Sequence, residues 1–236
     1  KTKVTVTFGT KKATLNYSVG EMLDENWFDL KEVDALVKDG NEGKLMYTGK
    51  AYKPKVVLSS EGKAKKVKFK VSYFNNKDAG TASVVIAGTG TFGGELKKEF
   101  IISPLELKVD TSAIKVSPKN LYNGGVNQTK STVKHIDNSG KKPKKVGLKA
   151  GKDYDIKYTN KVTKETTTNP TEAGEYTMEI VGKGNYSGGD NKPVAIEGAT
   201  WKIEPNDIKK VKVTVKVNGT TPVVTVAIGK NMLPET

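Results

Sequence analysis

The sequence predicts an all-β chain built from tandem β-sandwich modules. Three observations predict it: strict two-residue alternation, glycine turn signals between the alternating runs, and a gapless internal repeat. The alternation is clearest in Lys66-Val67-Lys68-Phe69-Lys70-Val71 and in Lys210-Val211-Lys212-Val213-Thr214-Val215-Lys216-Val217. Successive strand side chains point to opposite faces, so these runs put Val and Phe inward and Lys outward. Gly93-Gly94, Asn123-Gly124-Gly125, Gly188-Gly189 and Asn218-Gly219 separate the runs. The last of these has the form of a tight hairpin connection leading into the run from Val223 to Ile228.

Residues 79–94 align without gaps on residues 173–188, an offset of 94 residues, which is the length of a sandwich domain. Flanking features follow in the same order. Tyr47-Thr48-Gly49 matches Tyr122-Asn123-Gly124, Val71-Ser72-Tyr73 matches Ile156-Lys157-Tyr158, and the run from Phe100 to Pro104 matches that from Trp201 to Pro205. The second copy is longer between Tyr158 and Ala173 and between Gly188 and Trp201, which predicts extra loops or hairpin ends there. The expected organisation is a first module over residues 1–107, a second over 108–207, and the start of a third repeat or C-terminal strands over 208–236. Residues 1–43 depart from the repeat.

One segment has helical spacing: Leu23, Trp27, Leu30, Val33 and Val37 recur every three or four residues within residues 21–37. A short helix or a bulged strand over residues 27–37 accounts for it.

Composition narrows the chemistry. The chain has 236 residues, room for one large or two ordinary domains, and contains no Cys, which removes disulfides, thiolate metal sites and a Cys nucleophile. Its formal charge is +14, yet all 40 cations are Lys. Without the bidentate guanidinium fork, specific readout of nucleic acid is not expected, and the charge reads as solvated strand exteriors that also discourage edge-to-edge pairing. No run approaches the ~20 apolar residues of a membrane-spanning helix. The chain begins at Lys1 without a leader pattern, so a signal peptide is expected to have been removed or not included.

The repeat carries a resemblance. Tyr47-Thr48-Gly49-Lys50, Lys53-Pro54, Tyr73, Asn75-Asn76 and Ala79-Gly80-Thr81-Ala82 stand in the first copy. Asp153-Tyr154-Asp155-Ile156-Lys157-Tyr158 and Gly182-Lys183-Gly184-Asn185-Tyr186-Ser187-Gly188 stand in the second. In this order they resemble the Ig-like repeat modules of Gram-positive bacterial cell-surface proteins, the group that includes MBG-like repeats. The resemblance covers about residues 44–210 and implies tandem Ig-like modules that act as stalks or adhesive arms outside the cell. The implied partners are neighbouring domains of the same polypeptide and a host or dietary glycan or a host protein; no cofactor is implied. Leu233-Pro234-Glu235-Thr236 is similar to the front of a sortase sorting signal; equally, it precedes the Asp-Tyr strand of a third repeat, as residues 149–152 precede Asp153-Tyr154. The second reading is preferred because the third unit is otherwise half present.

Several catalytic patterns weigh little. Gly88-Thr89-Gly90-Thr91-Phe92-Gly93 matches the dinucleotide fingerprint, but the following residues alternate as a strand and the equivalent stretch recurs at Gly182, so a turn with positive backbone angles is expected. His135 is the lone histidine, expected in a loop or at a strand edge. Asp153 with Asp155, and Glu172 with Glu175, read as solvated acids, the former pair also fitting a weak calcium site. Among aromatics, Tyr73, Tyr158, Phe92, Tyr186, Phe100 and Trp201 occupy repeat-equivalent positions and are expected in the core. Trp27 and Tyr52 do not, and are the candidates for stacking on a sugar. A Lys-Asn isopeptide bond needs both groups buried beside an acid, and no trio stands out.

Overall fold

A computed structural model describes residues 2–17, 20–116, 119–126, 128, 131–197 and 199–206. The alternating run at 210–217, the Asn218-Gly219 turn, the unit expected over 208–236 and Leu233-Pro234-Glu235-Thr236 lie outside the described residues. The fold is all-β with one short helix of more than two turns. It divides into two compact units, Lys1–Leu105 and Glu106–Thr236.

The first unit contains strands β1 (Thr2–Phe8), β2 (Lys11–Tyr17), β3 (Glu21–Met22), β4 (Phe28–Asp29), β5 (Val57–Leu58), β6 (Phe69–Phe74), β7 (Gly80–Gly88), β8 (Phe92–Gly93) and β9 (Glu95–Ile102). Its helices are α1 (Lys31–Asn41) and the single turn α2 (Ser60–Ala64). Strands β6, β7 and β9 form an antiparallel three-stranded meander. On β7, Ala82, Val84 and Ile86 are buried in alternation, and with Phe100 and Ile102 of β9 they build the core. Val67 is likewise buried while Lys66, Lys68 and Lys70 are exposed, as alternation requires. Strands β1 and β2 form a separate antiparallel hairpin, turned at Gly9 with φ of +58°, on which Val6 and Phe8 are exposed.

The helical spacing resolves into three pieces. Asp24 accepts the Asn26 amide at the head of a 3-10 turn over Glu25–Trp27; Phe28 and Asp29 then pair with Leu58 and Val57; α1 begins only at Lys31. Both readings of that segment thus hold part of it. Helix α1 packs on β9 through Val33, with Leu36 and Val37 against the same core. Gly40, unusual inside a helix, lies where a Cβ would stand 2.7 Å from the backbone N and O of Ile101. A side chain there would push α1 off the sheet.

The second unit contains β10 (Lys119–Leu121), β11 (Lys134–Asp137), β12 (Lys144–Gly147), β13 (Tyr154–Asn160), β14 (Thr166–Thr167), β15 (Gly174–Gly182), β16 (Val194–Ala195) and β17 (Trp201–Glu204). Its main sheet runs β10-β17-β15-β13-β14, with β16 also on β15. Tyr154, Tyr158, Tyr176, Met178, Ile180, Trp201 and Ile203 are its buried apolar residues from that sheet.

The two meanders share a register. Strands β7 and β15 are each nine residues long and start 94 residues apart. Tyr73 faces Val84, and Tyr158 faces Met178, the residue 94 beyond Val84. Phe100 faces Ala82, and Trp201 faces Tyr176, the residue 94 beyond Ala82. The insertion between Gly188 and Trp201 is not wholly loop: it contributes β16, which pairs with the same edge of β15 as β17 does, where the first unit has the unbroken β9. The insertion after Tyr158 contributes β14.

Candidate functional site

The glycine fingerprint is a packing device. Gly88 and Gly182 end β7 and β15 where the next turn folds back on the strand. A Cβ on Gly182 would overlap the Tyr186 carbonyl oxygen, and one on Gly88 would stand 2.8–2.9 Å from the backbone of Phe92 and Gly93. Gly90 and Gly184 have φ of +71° and +56°, and the turns close with Phe92 N donating to Thr89 O and Tyr186 N donating to Lys183 O. Strands β8 and β9, not a helix, follow the first copy, so no helix N-terminus meets a pyrophosphate.

Neither aromatic proposed for sugar stacking presents an open ring face. Trp27 is 4% exposed; its indole N–H donates to Glu61 at 3.0 Å, Phe92 meets it edge-on, and Lys65 Nζ lies 4.8 Å from its ring centroid. A hydrogen bond to Glu21 raises the Lys65 pKa and keeps that cation charged over the ring. Tyr52 is half-buried, its hydroxyl donating to Met46 O at 2.6 Å and its ring edge-to-face with Phe100. Its backbone is tied to Asn76 through both N–H and C=O. Trp27 is thus part of the core, and Tyr52 packs half-buried against it.

His135 has a comparable role in the second unit. It is 5% exposed on β11, stacked at a tilt on Tyr186 with centroids 5.0 Å apart, where Trp27 meets the equivalent Phe92 in the first unit. Its Nδ1 accepts the Lys108 amide at 3.2 Å, which fastens the segment around Val109 to β11. Of the two expected placements, a loop or a strand edge, it takes the second, buried on β11 of the two-stranded β11-β12 sheet. Burial, chiefly, holds its pKa below 6.5, with the Lys108 charge adding to this and Asp137 opposing it. The unfolded chain takes the proton first, so this contribution to stability is complete above about pH 6.5 and declines as pH falls toward the folded-state pKa. Urea titrations of the wild type between pH 7.5 and 5 should show that decline, and His135→Phe should remove it from this window; an unchanged pH slope in the variant would contradict the assignment.

The acids are dispersed. Asp153 accepts the Lys149 amide at 2.8 Å, and Asp155 is ion-paired with Lys183 at 3.0 Å. Glu175 pairs with Lys161 at 3.4 Å. With Lys183 in place, Asp155 lacks the multiple-oxygen shell a calcium ion needs. Among the described residues no group of three His, Cys, Asp or Glu comes together to hold a metal. Among the described residues the buried polar ones are Ser83, His135, Asn160 and Asn185, with no Lys among them. Asn160 uses its carbonyl to accept the Val162 and Thr163 amides. An isopeptide trio is therefore not assembled among the described residues, and peptide mapping over these residues should find no Lys–Asn cross-link; a cross-linked peptide pair lighter by about 17 Da would contradict this.

A cleft of about 800 Å³ lies in the second unit beside β13. Gln128, Ser131, Thr168, Asn169, Asp155 and Lys183 supply its polar lining. Gln128 Nε2 donates to Thr168 O at 2.7 Å and to Asn169 Oδ1 at 3.1 Å, tying the insertion to the segment between β10 and β11. Tyr154 donates its hydroxyl to Ser131 O at 3.2 Å, and burial raises its pKa, so it remains a neutral donor. The Ser131 hydroxyl is buried without a partner. Sequence reading missed these residues because common polar types from separate segments carry no motif. The available signal was the insertion after Tyr158, which delivers Thr168 and Asn169.

No family model, curated protein or solved structure matches this chain. Among the described residues no helix is long and apolar enough to cross a membrane.

Proposed function

We propose that this chain is a non-catalytic repeat segment of a bacterial cell-surface protein, acting as a spacer or adhesive arm. The observation that carries the reading is the shared register of the two meanders: among the described residues the scaffold is repeated, including its turn glycines and core aromatics. The extracellular location rests on the sequence resemblance. Its partners in this reading are neighbouring domains of the same polypeptide, without nucleic acid. Antibodies raised against the fragment should label intact cells that make the full-length product. Signal appearing only after permeabilisation would overturn the surface location.

The cleft favours a second reading, a carbohydrate-binding module of a larger extracellular polysaccharide-processing protein. Amide and hydroxyl groups suit a neutral, hydroxyl-rich ligand, and the volume falls within the range of small-molecule sites. A glycan array separates the readings. A pure spacer gives no reproducible binding, whereas binding abolished by Gln128→Ala or Asn169→Ala and retained in Trp27→Phe would establish the binder.

A further inference from the structure

Each unit has a parallel pairing at the end of its meander, a three-residue ladder in the second unit and a single bridge in the first. In the second unit β10 runs parallel to β17, with Lys119 opposite Lys202, Asn120 opposite Ile203 and Leu121 opposite Glu204. Tyr122 N extends this ladder by donating to Glu204 O at 2.8 Å. In the first unit Met46 forms a parallel bridge with Ser103, Ser103 N donates to Leu45 O at 2.7 Å, and Tyr47 N donates to Ser103 O at 2.8 Å. Tyr47 and Tyr122 are repeat equivalents, and so are Ser103 and Glu204. The same hydrogen bond from Tyr N closes both, over a longer ladder in the second unit, although helix α1 precedes it in one unit and a segment paired to β11 through Val109 precedes it in the other.

We propose that this parallel joint is a mechanical clamp that resists tension applied along the chain. The direction of pull decides how a ladder fails. Tension arriving ahead of β10 and leaving after β17 draws two parallel strands past each other along their own axes. All the bonds between them are then loaded together and must break together. In an antiparallel pair at the chain ends, or in a parallel pair pulled from one end, the bonds break one at a time. Pro104 and Pro205 directly follow Ser103 and Glu204 and offer no N–H, so a strand that slips forward finds no new donor with which to rebuild the ladder. Slippage by one residue would also turn Trp201 and Ile203, 1% and 0% exposed, away from the core. The joint is thus held in one register by hydrogen bonding and by burial at once. Once it parts, β17 becomes an edge strand and the meander can peel. This deepens the spacer reading by naming the task the repeated scaffold performs.

The absence of Cys allows pulling handles to be placed at will. Paired cysteines at the exposed Lys115 and at Asn206 load the joint in shear, while cysteines at the exposed Lys115 and Thr200 load it from one end. Both pairs leave the joint itself wild type. Force spectroscopy on the full chain should show rupture in shear at roughly twice the force of the one-ended pull or more, because several backbone bonds share the load in one case and act singly in the other. The shear event should release about 30 nm of chain in one step. Tyr122→Pro, which deletes the terminal bond, should lower the shear force and leave the one-ended force unchanged. Equal forces in the two geometries, or a variant that lowers both alike or neither, would overturn the clamp. Saturable glycan binding would overturn the pure-spacer reading without touching this anisotropy, so the two claims fail separately.

Discussion

Trp201→Ala is expected to destabilise the second unit by about 3–5 kcal/mol, the cost of deleting a large buried aromatic. Trp201 is 1% exposed, with its ring 5.0 Å from Tyr158 and 5.9 Å from Tyr176. These rings come from β17, β13 and β15, so one side chain joins all three strands of the meander. The cavity left by Ala would open at the centre of the sheet, where neither neighbour can swing in without leaving its own strand register. Trp201→Phe should cost markedly less, because Phe100 fills the equivalent place in the first unit opposite Ala82. Scanning calorimetry measures both variants. The second unit's transition should move and the first unit's should stay. Equal costs for Ala and Phe would show that the ring does not span the meander.

Gly182→Ala should cost on the order of 3 kcal/mol or more, since a single methyl group would overlap the Tyr186 carbonyl oxygen. The clash is with backbone, and the Tyr186 turn is held by its own hydrogen bond to Lys183 O and by the stacking of Tyr186 on His135. Relief therefore requires moving the turn, the histidine contact and the end of β15 together. Gly88→Ala should destabilise the first unit by a smaller amount, since its contacts are 2.8–2.9 Å. Gly125→Ala, whose added carbon meets only the Asn123 side chain at 3.6 Å, should be near neutral. Urea midpoints of the three variants give the order directly. A tolerated Gly182→Ala would mean that the Tyr186 backbone moves aside at little cost and does not approach closely in solution.

What was legible in the sequence was whatever repeats or alternates. The offset of 94 residues located β7 and β15 and, through Tyr73 with Tyr158 and Phe100 with Trp201, the register of the strands beside them. Alternation identified Val67 as buried between the exposed Lys66 and Lys68, because strand geometry leaves no other choice. The glycine motif was legible as a turn, but the reason for Gly88 and Gly182 was not: close approach depends on the returning backbone, not on local angles.

The unrepeated residues were harder to place. Trp27 has no counterpart in the alignment, and a large aromatic outside a pattern looks like a surface ligand platform. In the fold it fills the space beside Phe92 that His135 fills beside Tyr186, so the equivalence exists in three dimensions without any equivalence of chain order. The strand β16 was hidden for a related reason. An insertion signals extra chain and not whether that chain will pair, and Val194 with Ala195 is too short a run to show a period. The cleft lining was invisible because Gln128, Ser131 and Asn169 acquire meaning only when β13 and the insertion bring them together.

The central claim is that one β-meander occurs twice and is closed each time by a parallel joint. An NMR measurement of backbone nuclear Overhauser contacts on the full chain tests it most directly. The claim predicts parallel-type contacts between Lys119–Leu121 and the Lys202–Glu204 stretch, and the same pattern around Met46 and Ser103. An antiparallel pattern at either joint, or a joint present in one unit and missing from the other, would contradict it.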